Sequence, residues 1–236
     1  MKLDILAIGA HPDDVELSCG GTLIKSIRAG KKVGILDLTK GELGTRGSAS
    51  IRANEAAAAQ HVLGVSIREN LGIEDGWFQN NKDTQMKLIQ KIRLYQPSII
   101  LANAIDDRHP DHPRAAALVK DAVFLAGLQK IITKERGVVQ DIHRTKYLFH
   151  YIQYRHIKPD FVVDVTPYYE DKMKAVQCYK TQFYNPDEES NTLISSKKFL
   201  DFLDGRSREM GGSIQVEHGE GFLSDVPLQL DLNTFL

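Results

Sequence analysis

The tightest constraint on the fold of this chain lies in residues 3–38, where an apolar run, a helical stripe and a second apolar run follow one another with only short polar breaks. Leu3-Asp4-Ile5-Leu6-Ala7-Ile8-Gly9 has the make-up of a buried strand and stops at Ala10-His11-Pro12-Asp13-Asp14. Val15 to Arg28 carries apolar residues at Val15, Leu17, Leu23, Ile24 and Ile27, a stripe of helical period that ends near Gly30. Lys32 to Leu38 returns as a strand. Two strands separated by a helix pair parallel through a right-handed crossover.

The alternation continues. Arg52 to Leu63 is Ala-rich and helical, Ser66 to Leu71 extended, Thr84 to Tyr95 helical up to the stop at Pro97, and Ser98 to Ala102 a strand. Pro113 opens a helix to about Gly127, at a first-turn position where its missing N–H costs nothing. This order predicts an α/β fold, a three-layer α/β/α sandwich with a mostly parallel, Rossmann-like sheet. Further on, Tyr147–Gln153 and Phe161–Val165 are expected as strands, Tyr168–Tyr179 and Asn191–Met210 as helices, with Gly211-Gly212 ending the last helix before a short extended tail. No repeat or long linker interrupts the chain, so a single domain over residues 1–236 is expected, long enough for its own core.

Charge and composition exclude several classes. Thirty Lys+Arg against 31 Asp+Glu give a net charge of −1, which offers no bulk attraction to nucleic acid or to an anionic membrane. The first apolar run, Ile5 to Ala10, is shorter than a signal-peptide core, and no stretch approaches the ~20 apolar residues of a membrane span. Cys19 and Cys178 make no disulfide framework and suit a reducing compartment, so a soluble cytoplasmic protein is expected.

Two segments crowd ionisable groups at the ends of apolar strands: His11-Pro12-Asp13-Asp14, and Asp106-Asp107-Arg108-His109-Pro110-Asp111-His112-Pro113. In open parallel sheets, ligands bind outside the carboxyl ends of the strands, so the two can meet in space. His11, Asp14 and His112 would give a divalent metal two neutral ligands and one anion, leaving a position open for water. Asp13 is then placed to exchange a proton with that water, a cationic His109 to stabilise an oxyanion, and Asp111 to orient His109. Because His112 precedes Pro113, and His109 precedes Pro110, both are expected on an extended turn rather than as a helical pair. The reaction class using all of these is metal-assisted hydrolysis of an amide or ester.

These residues make the chain identifiable by resemblance. His11-Pro12-Asp13-Asp14 with the distal His109-Pro110-Asp111-His112 resembles the LmbE-like (PIG-L) family of zinc-dependent N-acetylglucosamine deacetylases. The 106–112 stretch, Lys158-Pro159-Asp160-Phe161 and Gly219-Glu220-Gly221-Phe222 look like its bacillithiol-biosynthesis branch. The resemblance implies one Zn2+ on His11, Asp14 and His112, with another divalent transition metal as the alternative. It also implies Asp13 as general base, His109 as oxyanion stabiliser, and an N-acetylglucosaminyl malate substrate. It further implies a homo-oligomer and small-molecule partners only. In the polar loop Thr39–Gly47 and the helix after it, Glu42 and Arg52 are the expected substrate contacts, and Arg108 would take a carboxylate of the aglycone. Some members carry a tyrosine two residues before the first histidine of the distal motif; here that position is Asp107.

Blander readings stand beside these. Asp13 or Asp14 would serve equally as an N-cap for the helix that follows, and Asp111 or His112 for the next. His61, His143, His150 and His156 are expected in structural or surface roles, His218 at the border of the pocket or outside it, and Trp77 in a core or an interface, with the lining of a sugar site as its alternative. A deacetylase of a chitooligosaccharide or an inositol glycoside, or a non-catalytic sugar-binding protein, are the competing functions.

Overall fold

The structure, a computed structural model, describes residues 1–187, 192–229 and 231. In chain order its elements are β1 (Ile5–Gly9), α1 (Asp14–Arg28), β2 (Val33–Thr39), α2 (Ala49–Leu63), β3 (Ile67–Ile73), α3 (Lys82–Tyr95), β4 (Ile99–Ala102) and α4 (Asp111–Ala126). There follow β5 (Lys134–Glu135), β6 (Val138–Val139), β7 (Tyr147–Tyr151), β8 (Phe161–Asp164), α5 (Tyr169–Val176), α6 (Lys197–Ser213) and β9 (Gly219–Ser224).

Seven strands form one sheet in the order β3-β2-β1-β4-β7-β9-β8. The five strands from β3 to β7 run parallel, and β9 lies antiparallel between β7 and β8. Alternation along each strand sends side chains to two separate cores. Ile5, Ala7 and Ile35 join Val15, Leu23, Ala59, Val176 and Phe199 on the face covered by α1, α2, α5 and α6. Leu6, Ile8 and Leu36 join Leu88, Ile92, Leu118 and Val119 under α3 and α4. The expected α/β/α sandwich is therefore present. Strand order runs one way from β1 through β2 to β3 and the other way through β4 to β7. The crevice beyond β1 and β4 is thus the switch point at which such sheets bind ligands.

The C-terminal third departs from the sequence pattern. The last helix starts at Lys197, where the Ser196 side chain accepts the Phe199 N–H at 3.2 Å; Asn191 lies outside the described residues. It runs on through Gly211-Gly212 to Ser213. Gly211 is there for close approach: a Cβ would lie 2.8 Å from the backbone of Glu217. The extended tail is β9, an interior strand whose register pairs Phe161 with Phe222. Lys158–Phe161 and Gly219–Phe222 therefore meet at this end of the sheet. The β5–β6 hairpin has no counterpart in the sequence pattern; two residues a side carry too little alternation to be seen. Among the described residues no helix is long and apolar enough to cross a membrane.

Candidate active site

The chain leaves β1 through a turn pinned on both sides. Ala10 donates its N–H to Asn103 Oδ1 at 2.9 Å, just past β4, and its carbonyl accepts the N–H of Thr39 at the end of β2. His11 N–H then bonds Asp14 Oδ2 at 3.0 Å, so α1 opens directly on Asp14. This sharp entry holds Asp13 at φ of +124°, a conformation that costs a non-glycine residue about 1–3 kcal/mol and clusters at functional sites. Its side chain makes no capping bond, so the N-cap role does not apply to it. At 7% exposure its carboxyl is pushed up to about 7 by burial, with the Arg52 charge opposing.

The segment after β4 brings the second half. His112 lies in the first turn of α4, with its N–H on the His109 carbonyl at 3.1 Å, rather than on an extended turn. The bias against helical geometry before proline is a preference, and in a first turn Pro113 loses no hydrogen bond. His112 Nδ1 sits 2.6 Å from Asp107 Oδ2, and its Nε2 lies 3.1 Å from Asp14 Oδ1. His11 Nδ1 is 3.6 Å from Asp14 Oδ2. The rings of His11, His109 and His112 pack with centroids 4.6–5.7 Å apart. Segments nearly a hundred residues apart thus converge on one point.

The donor chemistry at that point fits a divalent cation. His11, His109 and His112 each offer a ring nitrogen within 4.8 Å of the others, and Asp14 faces two of them. His11, Asp75 and Asp111 form a second such group behind the first. The carboxylates raise His11 well above the usual imidazole range and His112 to about 9, and the His11 and His112 imidazoles hold Asp14 well below the usual carboxylate range. A buried nest that draws two protons onto its imidazoles is one in which a divalent ion replaces them.

Three expected roles differ from the geometry. The Asp111 carboxylate does not face His109; it accepts Gly76 N–H at 2.8 Å, pairs with Arg114 and lies 3.4 Å from His11 Nε2. His109 instead accepts the Asp111 backbone N–H on Nδ1 at 3.3 Å. Burial and the neighbouring His11 and His112 lower its pKa, which favours the neutral imidazole over the expected cation, and with Nδ1 accepting it is Nε2 that carries the proton. Glu42 does not line the cavity. Its carboxylate takes the N–H groups of Asp75 and Lys40 and so shapes its own loop.

Arg52 and Arg108 do line the cavity, which measures about 340 Å³. Arg52 is buried against the loop, and glycine is required above it: at Gly41, with φ of +64°, a Cβ would sit 2.2 Å from Arg52 Nη1. His218 stacks on Tyr169 at 3.7 Å, outside the cavity. Trp77 is 72% exposed and so belongs to no core. His143 and His150 bond the carbonyls of Pro97 and Asn103, the structural roles expected of them.

Four functional side chains escape a reading of the sequence alone. Asp75 Oδ1 lies 3.0 Å from His11 Nε2. Asn103, fully buried, donates to Asp14 Oδ2 and to Gln153 Oε1, and Gln153 donates to Asp14 Oδ1 at 3.0 Å. Arg206 of α6 forms part of the cavity wall. Asp75, Asn103 and Gln153 each follow the carboxyl end of a strand, β3, β4 and β7, so the rule that singles out His11 would have found them. Nothing in the pattern around Arg206 marks it.

The profile of the PIG-L family, described as GlcNAc-PI de-N-acetylase, matches residues 6–123. Diacetylchitobiose deacetylase of Thermococcus kodakarensis is 30% identical over 189 residues, 76% of this chain and 70% of that protein. The 4-oxalmesaconate hydratase of Pseudomonas putida is 27% identical over 192 residues, 75% of this chain and 73% of that one. Among solved structures, a conserved protein of Thermus thermophilus superposes with a TM-score of 0.87 at 34% identity, over 97% of both chains. The matched profile spans both halves of the convergent site, and the chain is an enzyme of the PIG-L family.

Proposed function

We propose that this enzyme is a metal-dependent N-deacetylase of an N-acetylglucosaminyl conjugate, with Zn2+ on His11, Asp14 and His112. Its substrate in this proposal is the N-acetylglucosaminyl malate of bacillithiol biosynthesis. The observation that carries the reading is the placement of Asp13 and His109 beside the His11/Asp14/His112 group, all facing one cavity. Deacetylation is the activity in the name of the Thermococcus relative. Malate rests on the sequence resemblance and on Arg108 in the cavity wall.

A divalent ion in this nest supplies Lewis acidity toward an acyl oxygen and toward water. The Asp13 carboxyl, poised near neutrality, takes the proton of the attacking water and returns it to the departing amine. Arg52 favours the ionised form that accepts the first proton and is restored by the second transfer. His109 donates from Nε2 to the carbonyl oxygen as negative charge develops there.

The purified chain should release acetate and free amine in equal amounts from N-acetylglucosaminyl malate, and a chelator should stop it. Asp13→Asn should lower kcat by about 10²–10⁴-fold with metal content unchanged. Full turnover by that variant refutes the mechanism. Hydration of an unsaturated dicarboxylate, with no acetate from any conjugate, would place the chain with the Pseudomonas hydratase instead.

A further inference from the structure

Two guanidinium groups on one wall of the cavity form no ion pair among the described residues. Arg206, partly buried on α6, donates from Nη2 to the Leu17 carbonyl at 3.3 Å, and its Cζ lies 5.6 Å from the centre of the Phe202 ring. Arg108, from the loop after β4, lies 5.2 Å from the centre of the Tyr154 ring. The two rings pack against each other at 5.1 Å, so one aromatic pair backs both cations. Among the described residues neither arginine forms an ion pair. Arg155, next to Tyr154, and Arg208, two residues past Arg206, do: Arg155 pairs with Asp106 at 2.8 Å, and Arg208 with Asp204 and Glu217 at 2.8 and 3.0 Å.

The carboxylates nearby are already engaged. Asp107 holds His112 and the Arg108 and Tyr154 N–H groups; Glu220 holds Lys172 and the Gly21 and Thr22 N–H groups. Asp14 and Asp75 face the histidines. Burial pulls the Arg206 pKa down to about 10 against the opposing charges of Asp107 and Glu220, neither of which it contacts as an ion pair, and it stays charged at neutral pH. A desolvated guanidinium without a counter-ion is costly unless a ligand supplies one, and its planar fork matches a carboxylate or a phosphate.

We propose that Arg206, with Arg108, forms an oxyanion subsite that selects substrates whose aglycone bears a carboxylate or phosphate. Arg108 adjoins His109 in the chain, so the subsite borders the reacting end and suits a short acidic aglycone. The position of the acetyl group in this picture rests on the deacetylase reading; the binding of the anion does not.

The test uses the metal-loaded enzyme and three N-acetylglucosaminyl conjugates: the malate, the 1-phosphate and the neutral methyl glycoside. Wild type should prefer an acidic conjugate, and which one identifies the anion. In Arg206→Gln the ratio of kcat/KM for that conjugate over the methyl glycoside should fall about 10- to 100-fold, with a smaller fall in Arg206→Lys. Absence of an acidic preference in wild type, or its survival in Arg206→Gln, overturns the proposal. If Arg206→Gln does not fold, Arg206→Lys and Arg108→Gln carry the same ratio. Calorimetric titration with free malate and with inorganic phosphate separates the two readings. An enzyme that releases no acetate yet binds either anion, at least tenfold more weakly in Arg206→Gln, loses the deacetylase reading and keeps the subsite. One that deacetylates all three alike and binds neither anion keeps the activity and loses the subsite.

Discussion

Asp75→Ala removes a side chain far in sequence from both chemical motifs, and it should weaken metal binding. Asp75 Oδ1 lies 3.0 Å from His11 Nε2, while Oδ2 accepts the Leu43 N–H at 2.9 Å. Those two partners hold its carboxyl down to about 2, so it is an anion at any working pH. It therefore fixes the imidazole with Nε2 protonated and Nδ1 turned toward Asp14, and it ties the 40–47 loop to the same ring. Asp111 Oδ2, 3.4 Å from Nε2, is the remaining acceptor after truncation, at the outer limit of a hydrogen bond. A hydrogen bond to a charged group contributes about 1.5–3 kcal/mol. Loss of such an outer partner of a metal-binding histidine typically weakens affinity 10–100-fold, about 1.4–2.7 kcal/mol. The two ranges agree. Zn2+ affinity measured in chelator buffers at fixed pH should fall by that factor in Asp75→Ala and by less in Asp75→Asn, which keeps an acceptor oxygen. Wild-type affinity in a folded Asp75→Ala would show that His11 needs no such support.

Arg68 is buried with Nη1 2.5 Å from Glu16 Oε1 and Nε 2.7 Å from Asp37 Oδ2, so Arg68→Met strands two carboxylates; about 3–5 kcal/mol of stability should be lost in urea unfolding, and a loss below 1 kcal/mol would contradict the pairing. Burial lowers the His150 pKa, whereas the unfolded chain titrates near 6.5, so below that pH the unfolded state binds more protons and wild type loses stability. Metal-loaded wild type should therefore lose more unfolding free energy than His150→Gln on going from pH 7.5 to 5.5, and equal slopes would remove this histidine from the account.

Much of this is legible in the sequence because strands and chemistry mark themselves by different patterns. The apolar runs at Ile5–Gly9 and Ile99–Ala102 need no tertiary context, since a parallel strand is buried on both faces. His11, Asp13, Asp14, His109 and His112 stand out as ionisable groups directly beyond such runs. What stays hidden depends on contacts that sequence spacing does not encode. Adjacency assigns Asp111 to His109, but the first turn of α4 aims its carboxylate at Gly76 and His11. Glu42 reads as a ligand contact because its loop is polar, yet its carboxylate is taken up by the Asp75 and Lys40 backbone groups. Gly211 resembles a helix stop and is instead a place where β9's lead-in crosses the helix closely.

The site divides between a rigid floor and a wall built by later elements, and the division has a functional consequence. The floor is wired across three strand ends: Ala10 to Asn103, Asn103 to Asp14 and Gln153, and Gln153 to Asp14 again, with Gln153 Nε2 3.4 Å from His112 Nε2. His11, Asp13, Asp14, His109 and His112 follow on β1 and β4 beside that network, and all lie within the 6–123 family match. Tyr154, Phe202 and Arg206, which line another wall of the cavity, lie beyond residue 123 on other elements, while Arg108 lies within the match. A family that keeps the floor and changes the wall would retain one water-activating centre while exchanging the molecule presented to it. Deacetylase and hydratase names among this chain's relatives are what that arrangement leads one to expect. Specificity is then to be sought on α6 and at Tyr154, where side-chain substitutions reach the bound molecule without removing the side-chain hydrogen bonds that hold Asp14 in place.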